Sequence, residues 1–286
     1  MSFKQLYASE RLVLSFEIFP PKTAEGVPIL RQTVQELLAL KPDILTVTYG
    51  AMGSTQRLTQ DLVTEFQQQQ KVPVASHLTC VNATKASITA YVSELLAQDV
   101  THIVALRGDQ PAGLTDAFNG DFKHAQALVA FIKAQFPTMS MAVAAYPEKH
   151  PEASDVAADI AHLKAKVDAG ADVILTQLFY NNDSYFRFRD ACAAAGIRVP
   201  IIPGLMPILS LKQVLRITSM CGATLPTALL NELEAYGNDP TMQQKLGTNW
   251  AIAQALDLIR HGVPGIHLYV LNRIEAAQAF VAALRS

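Results

Sequence analysis

Eight short runs rich in β-branched and other apolar residues recur along the chain, and each is followed by a longer stretch with helical spacing. The runs are Val13 to Phe19, Ile44 to Thr48, Val74 to Leu78, His102 to Leu106, Met141 to Ala145, Val173 to Thr176, Pro200 to Pro203 and Gly265 to Tyr269. They repeat roughly every 30 to 35 residues, the size of one strand-helix unit in a parallel sheet. Eight such units are the number that closes a (β/α)8 TIM barrel, and 286 residues suit a fold that typically takes about 250. Segments such as ILTVT, HIVAL and VILT are apolar almost throughout, as parallel strands covered by helices are.

The helical stretches begin and end with the expected punctuation. Pro28 to Leu40, Thr84 to Gln98, Phe122 to Gln135, Ser154 to Ala169 and Ser184 to Ala195 carry helical patterns. Cap chemistry stands at Asn82 and Thr84, at Asp183 and Ser184, and at Ser210. Gly170 and Gly196 sit where a left-handed residue ends a helix. The span from Thr224 to Arg260 exceeds one barrel helix and contains Pro226, Gly237, Asn238 and Pro240, so extra helices are expected before the last strand. No low-complexity linker divides the chain, which reads as one catalytic barrel domain over residues 1–286. An open doubly wound sheet is the competing fold. Its GxGxxG fingerprint after the first strand is missing, and Phe19, Pro20, Pro21 and Lys22 stand there instead.

Composition narrows the partners. Hydrophobic residues make up 50% of the chain and the formal net charge is −2, so a normal core forms without a pull toward polyanions. Nucleic acid is not expected. Cys80, Cys192 and Cys221 are an odd set without CxxC spacing, which suits a reducing cytoplasm. The first residues contain Lys4, Glu10 and Arg11 among their apolar positions, so neither a secretory leader nor a membrane span is expected.

In a barrel, catalytic groups come from the carboxyl ends of strands and the loops after them. The polar residues at those ends are Glu17, Thr48, Tyr49, His77, Arg107, Asp109, Tyr146, His150, Gln177, Asn272 and Arg273. Glu17 is flanked by Phe16, Ile18 and Phe19; desolvation there raises a carboxyl pKa, as a general acid near neutral pH requires. The competing reading is a glutamate whose charge a barrel Arg or Lys fixes. Arg107, Gly108 and Asp109 close the fourth strand, where glycine admits a flat ligand to the backbone and its neighbours offer a cation and an anion; a turn with a surface ion pair is the plainer account. Asp159, His162 and Lys166, three and four residues apart, share a helical face. With Tyr146 and His150 they form a candidate groove for a nucleotide tail, against an ordinary solvated face. His77 is either a ligand contact or a structural histidine.

Other chemistries lack their residues. There is no HxH, HExxH or clustered carboxylate pattern for a metal, and no lysine lies within a proposed strand to serve as a Schiff-base nucleophile. A mouth of hydrogen-bonding groups, one buried carboxyl and several aromatics suits a cofactor that performs the hard chemistry. A lyase or hydrolase barrel acting on a phosphorylated metabolite and a ligand-binding protein without turnover are the alternatives.

The same strand-end strings resemble the methylenetetrahydrofolate reductase family, in its bacterial form that consists of the catalytic domain alone. SFEIFPPK, VTYGA, HLTC, HIVALRGD, AAYPEKHPEA, LKAKVDAGAD, TQLFY, IIPGLMP and YVLNR occur in order across nearly the whole chain. The resemblance implies a cytoplasmic FAD enzyme with ping-pong kinetics, in which NADH or NADPH reduces the flavin and leaves before methylenetetrahydrofolate binds. It also implies a homodimer or homotetramer. Glu17 is similar to the acid that protonates the folate, and Asp109 to the aspartate that tunes the flavin. Thr48, Tyr49, Ala51, His77, Arg107, Gly108, Asp109, Ala125, Tyr146, His150, Asp159, His162 and Lys166 match cofactor-contacting positions. Glu17, Thr48, Gln177, Gln213 and Arg273 match substrate-binding ones. The chain departs from the family pattern at His162 and Ala165, where asparagine and arginine are usual. His124 stands in place of a common tyrosine, and Leu178 in place of a frequent aromatic.

Overall fold

The computed structural model describes residues 1–21, 23, 25–48, 56–69, 72–109 and 119–285. The first half of the chain runs α1 (Phe3–Tyr7), β1 (Val13–Ile18), α2 (Gly26–Ala39), β2 (Ile44–Val47), α3 (Gln56–Gln69), β3 (Val74–Thr79), α4 (Lys85–Leu96), β4 (His102–Leu106), α5 (Ala125–Gln135) and β5 (Ser140–Ala145). The second half continues with α6 (Val156–Asp168), β6 (Val173–Thr176), α7 (Asn182–Ala194), β7 (Ile201–Ile202), β8 (Gly204–Leu205), α8 (Leu211–Cys221), α9 (Thr227–Ala235), α10 (Pro240–Arg260), β9 (Gly265–Tyr269) and α11 (Ile274–Arg285). Each expected strand forms, and the helices α9 and α10 are the extra ones expected before the last strand. The expected seventh strand is broken in two.

That break closes the cylinder. The sheet is parallel throughout, in the order β7-β6-β5-β4-β3-β2-β1-β9-β8. Its two end strands, β7 and β8, are consecutive in the chain with only Pro203 between them. Proline has no N–H to donate, so the ladder to β6 stops after Ile202. The Pro203 carbonyl then accepts from His267 N at 2.9 Å, which starts the pairing with β9. Gly204 N donates to Thr176 Oγ1 at 2.8 Å, and a Cβ at Gly204 would stand 2.2 Å from the Thr176 carbonyl. The seam therefore requires this glycine.

Side chains alternate across each strand with a period of two. On β1, Leu14, Phe16 and Ile18 face the helices within the main core, whereas Val13 points to the barrel floor with Ile44, Ala75, Val104, Ala142 and Val173. Helix α1, which no local sequence pattern predicts, plugs that floor with Phe3, Leu6 and Tyr7. Its Ser2 makes a capping box with Gln5, and Phe3 N donates to Ser140 Oγ at 2.8 Å. The opposite end of the barrel, where the strands finish, is where Ser15 and Glu17 lead along the inner face of β1.

The caps follow the sequence with one shift. Thr84 and Ser210 cap α4 and α8, and Gly170 and Gly196 take left-handed φ of 117° and 80°. Asn181, rather than Asp183 or Ser184, caps α7 by accepting from Asp183 N; Asp183 lies in the first helical turn, favourable for an anion there. Among the described residues, no helix is long and apolar enough to cross a membrane.

Candidate active site

Two groups of side chains meet at the carboxyl end of the strands. The first surrounds Glu17. The β1–β9 register places Ser15 opposite His267 and Glu17 opposite Tyr269, all on the inner face. Glu17 is 7% exposed. Its Oε2 lies 3.2 Å from His267 Nε2 and 3.3 Å from His77 Nε2. The His267 contact is a hydrogen bond; His77 approaches within ion-pair distance but without hydrogen-bond alignment, and its Nε2 has no other such partner among the described residues. The second nitrogen of His267, Nδ1, is 2.8 Å from Ser15 Oγ, and the His267 ring packs edge-on against Tyr269 at 4.9 Å between centroids.

These neighbours reverse the expectation for Glu17. Burial does raise its pKa, and it is the largest single influence, but the charge of His77 and the hydrogen bond from His267 outweigh it. The carboxyl is held down to about 2. The two imidazoles converge on one oxygen because β9 pairs with β1 directly while β3 reaches it across β2 on the inner face of the closed cylinder, a relation that neighbouring residues in the sequence do not display.

The second group lies around β4, β5 and α6. Tyr146 and His150 pack edge-on at 4.6 Å, and His150 N donates to Asp159 Oδ2 at 2.8 Å. Lys166 Nζ donates to the Ala144 carbonyl at 2.6 Å. Burial lowers the Lys166 pKa to about 8, against the pull of Asp159. Tyr146, His150, Asp159 and Lys166 line one recess with Leu163 and Phe188. His162 is exposed and does not line it; Leu163 takes that place between Asp159 and Lys166. Arg107 joins the group through Glu152, which its guanidinium grips with two hydrogen bonds of 2.6 Å. Glu152 N in turn donates to His150 Nδ1 at 3.1 Å. Burial raises the Tyr146 pKa to about 12, Asp109 adds to that effect, and a Gln177 hydrogen bond opposes it. The Tyr269 hydroxyl donates to the Thr176 carbonyl at 2.8 Å, which places this ring between the two groups.

The other candidate residues are spread around the same end. Gly108 takes a φ of 83°, and a Cβ there would come within 2.9 Å of Val81 Cγ2, so the left-handed turn after β4 needs glycine. Asp109 follows it, exposed. Thr48 follows β2 and accepts from Thr59 Oγ1 through its carbonyl. Ala125 opens α5 behind an N-cap position occupied by His124, which makes no side-chain cap hydrogen bond. Gln213 is in the first turn of α8, and Arg273 is exposed after β9. Tyr49 and Ala51 lie outside the described residues. His267, Ser15, Tyr269 and Glu152 were not singled out in the sequence. His267 and Tyr269 could have been found by alternation from Gly265, because residues two apart on the last strand face the same interior as Glu17.

A cavity of about 490 Å³ lies elsewhere, between α3 and α4, and is lined by polar side chains such as Arg57, Asp61, Glu65 and Glu94. It gathers no strand-end residue, so it is not where barrel chemistry is expected.

Known proteins resemble the chain along nearly its whole length. The methylenetetrahydrofolate reductase family model matches residues 2–285. The chain is 36% identical over 276 residues to the 5,10-methylenetetrahydrofolate reductase of Pectobacterium carotovorum, covering 96% of this chain and 90% of that protein. It is also 36% identical over 287 residues to methylenetetrahydrofolate reductase (NADH) 1 of Arabidopsis thaliana, covering 96% of this chain and 48% of the plant protein. An uncharacterized protein from Clostridium thermocellum that binds two copies of 5-methyl-5,6,7,8-tetrahydrofolic acid shares the fold, with a TM-score of 0.67 at 18% identity over 98% of this chain and 96% of that one. A barrel whose strand ends carry these residues, matched along its length by that family, belongs to the methylenetetrahydrofolate reductases, oxidoreductases that reduce methylenetetrahydrofolate.

Proposed function

We propose that this chain reduces 5,10-methylenetetrahydrofolate to 5-methyltetrahydrofolate with electrons from NADH or NADPH passed through FAD, in ping-pong order, and so supplies methyl groups for methionine synthesis. The observation that carries this reading is a buried carboxylate held between two imidazoles at the mouth of the barrel, beside a recess that offers cationic and aromatic groups.

The residues present fit a flavin dinucleotide. Lys166 is a half-buried ammonium whose pKa desolvation depresses, an arrangement that a nearby anionic group relieves. Arg107 offers a planar fork matched to phosphate oxygens. Gly108 admits a flat ring to the backbone, and Tyr146 and His150 would stack along the cofactor while Asp159 holds the His150 loop. When bound, FAD supplies hydride transfer between the nicotinamide and the folate.

The chain's own part is proton management and positioning. Thr48, Gln177, Gln213 and Arg273 hold the substrate. Glu17 faces the folate and delivers a proton to N10, which opens the methylene bridge to an electrophilic iminium on N5. His77 and His267 hold the carboxyl down to about 2, so Glu17 is ionised at rest and takes up a proton before it acts as the acid. Excluding water as the substrate enters disfavours the charged form of Glu17, so the carboxyl takes up a proton from solvent and passes it to the amine. Asp109 places a negative charge that disfavours an anionic reduced cofactor.

The test is spectroscopic. Purified protein should absorb as a flavoprotein, bleach with NADH in the absence of oxygen and regain its colour with methylenetetrahydrofolate. Glu17→Gln should leave the bleaching step within about threefold of wild type and slow recolouring by at least about a hundredfold, the scale of lost acid catalysis. A colourless protein that takes up no FAD, or equal losses in the two steps, would refute the reading.

A further inference from the structure

The β1–β9 ladder ends at Glu17 and Tyr269, with a last long contact from Val270 N to the Glu17 carbonyl at 3.4 Å. Beyond it the two chains separate, and the segment after β9 turns through two successive left-handed residues, Leu271 at φ 51° and Asn272 at φ 53°. Two non-glycine residues in that region are unusual, and asparagine is among the few side chains that tolerate it. The turn aims the Asn272 amide back at β1. Its Oδ1 accepts from Phe19 N at 3.0 Å and its Nδ2 donates to the Phe19 carbonyl at 2.8 Å. These are the two bonds a strand residue would make, supplied by a side chain where the strand has ended. On the other side of β1, Thr48 N donates to the Ile18 carbonyl at 3.0 Å.

We infer that Asn272 is a positioning residue for Glu17: its amide extends the ladder past the last backbone rung and locks the end of β1, so the carboxylate keeps its register with His267 and His77. The inference rests on the role of Glu17 given above, and assigns to the loop that carries Arg273 a second task besides holding substrate. Glu17 has backbone tethers on its own carbonyl and on Phe19, two residues on. If the Phe19 tether is removed, the strand end is free to splay where it is no longer paired to β9. The carboxylate then moves relative to histidines that remain anchored in β3 and β9. Loss of the tether is thus felt as a change in how Glu17 holds its proton, and a merely structural bond would not produce that change.

Two variants test this on flavin-free protein. Asn272→Gly keeps the left-handed backbone and removes both bonds; Asn272→Asp keeps the acceptor for Phe19 N but sets an oxygen against the Phe19 carbonyl. In Asn272→Gly, amide exchange at Phe19 should speed up by at least about tenfold. By carbon-detected NMR of the labelled carboxyl, the titration midpoint of Glu17 should rise by about one pH unit or more. Asn272→Asp should fall between that variant and wild type. Faster exchange at Phe19 with an unmoved Glu17 midpoint would overturn the inference, as would no change in either; if Asn272→Gly does not fold, the same comparison with Asn272→Asp decides. In flavin-loaded protein, reoxidation by methylenetetrahydrofolate should slow at least about tenfold in Asn272→Gly while reduction by NADH changes less than about threefold. Wild-type protein that shows neither step would refute the proposed function, and the NMR comparison would still judge the clamp.

Discussion

Glu17 Oε2 and His267 Nε2 are 3.2 Å apart, and the opposite nitrogen of the same ring is 2.8 Å from Ser15 Oγ. A histidine bridged in this way is fixed in ring orientation, and its Nε2 is presented to the buried Glu17 carboxylate at the barrel mouth. His267→Asn removes one of two opposing influences on Glu17 while burial continues to push the carboxyl pKa upward. The acid therefore keeps its proton to higher pH, and the alkaline limb of folate reduction, where a general acid loses its proton, should shift upward. Rapid-mixing measurements of flavin reoxidation across pH would show this; an unmoved limb would exclude His267 as a group that sets how Glu17 holds its proton.

Arg107 and Glu152 form a two-bonded pair whose carboxylate side chain is 62% exposed. The guanidinium holds Glu152 below the usual carboxylate range, yet an exposed pair of this kind contributes only about 0–1 kcal/mol to stability. In the proposed function the same guanidinium meets the cofactor's phosphates, so Glu152 is their competitor. Glu152→Gln should melt within about 1 °C of wild type and bind FAD roughly threefold more tightly. Fluorescence titration of flavin-free protein would measure this, and weaker binding would show that the carboxylate orders the cofactor loop instead.

His102 is 3% exposed beneath the Phe3 ring, whose centroid is 4.8 Å away. Burial, with the chain's amino terminus adding to it, lowers the His102 pKa to about 4, and Asp172 opposes only in part. Because the folded protein favours the neutral ring, the unfolded chain binds more protons between about pH 4 and 6.5. Stability is therefore complete above about pH 6.5 and lost as pH falls, with a cost near pH 5 of about 2 kcal/mol. His102→Gln should flatten this slope. Melting temperatures of both proteins from neutral to mildly acidic pH would check it, and parallel curves would exclude His102 as the cause.

Much of the barrel could be read along the chain. Strand runs and helix spacing reflect local alternation, and the caps at Thr84 and Ser210 are short-range hydrogen bonds, so both survive translation into structure. The seventh strand was located but not its division. Nothing in a run of apolar residues says that Pro203 must end one ladder and begin another, because that depends on which strands lie on either side. Helix α1 escaped notice for a related reason: five residues make a poor helix alone, and Phe3, Leu6 and Tyr7 are stabilised only by the barrel floor they fill.

The site divides along the same line. Residue type and strand position were enough to nominate Glu17, Arg107, Tyr146, His150, Asp159 and Lys166, because in a parallel barrel every strand end opens on one face. His162 shows the limit of spacing, since Leu163 is the residue that turns into the recess. The sequence by itself determined the eight-unit rhythm, the end at which chemistry gathers and the family to which the chain belongs. Only the tertiary structure decided the protonation of Glu17. Its charge state is set by His77 and His267, 60 and 250 residues away, and electrostatic influence follows distance in space, which the order of residues does not record.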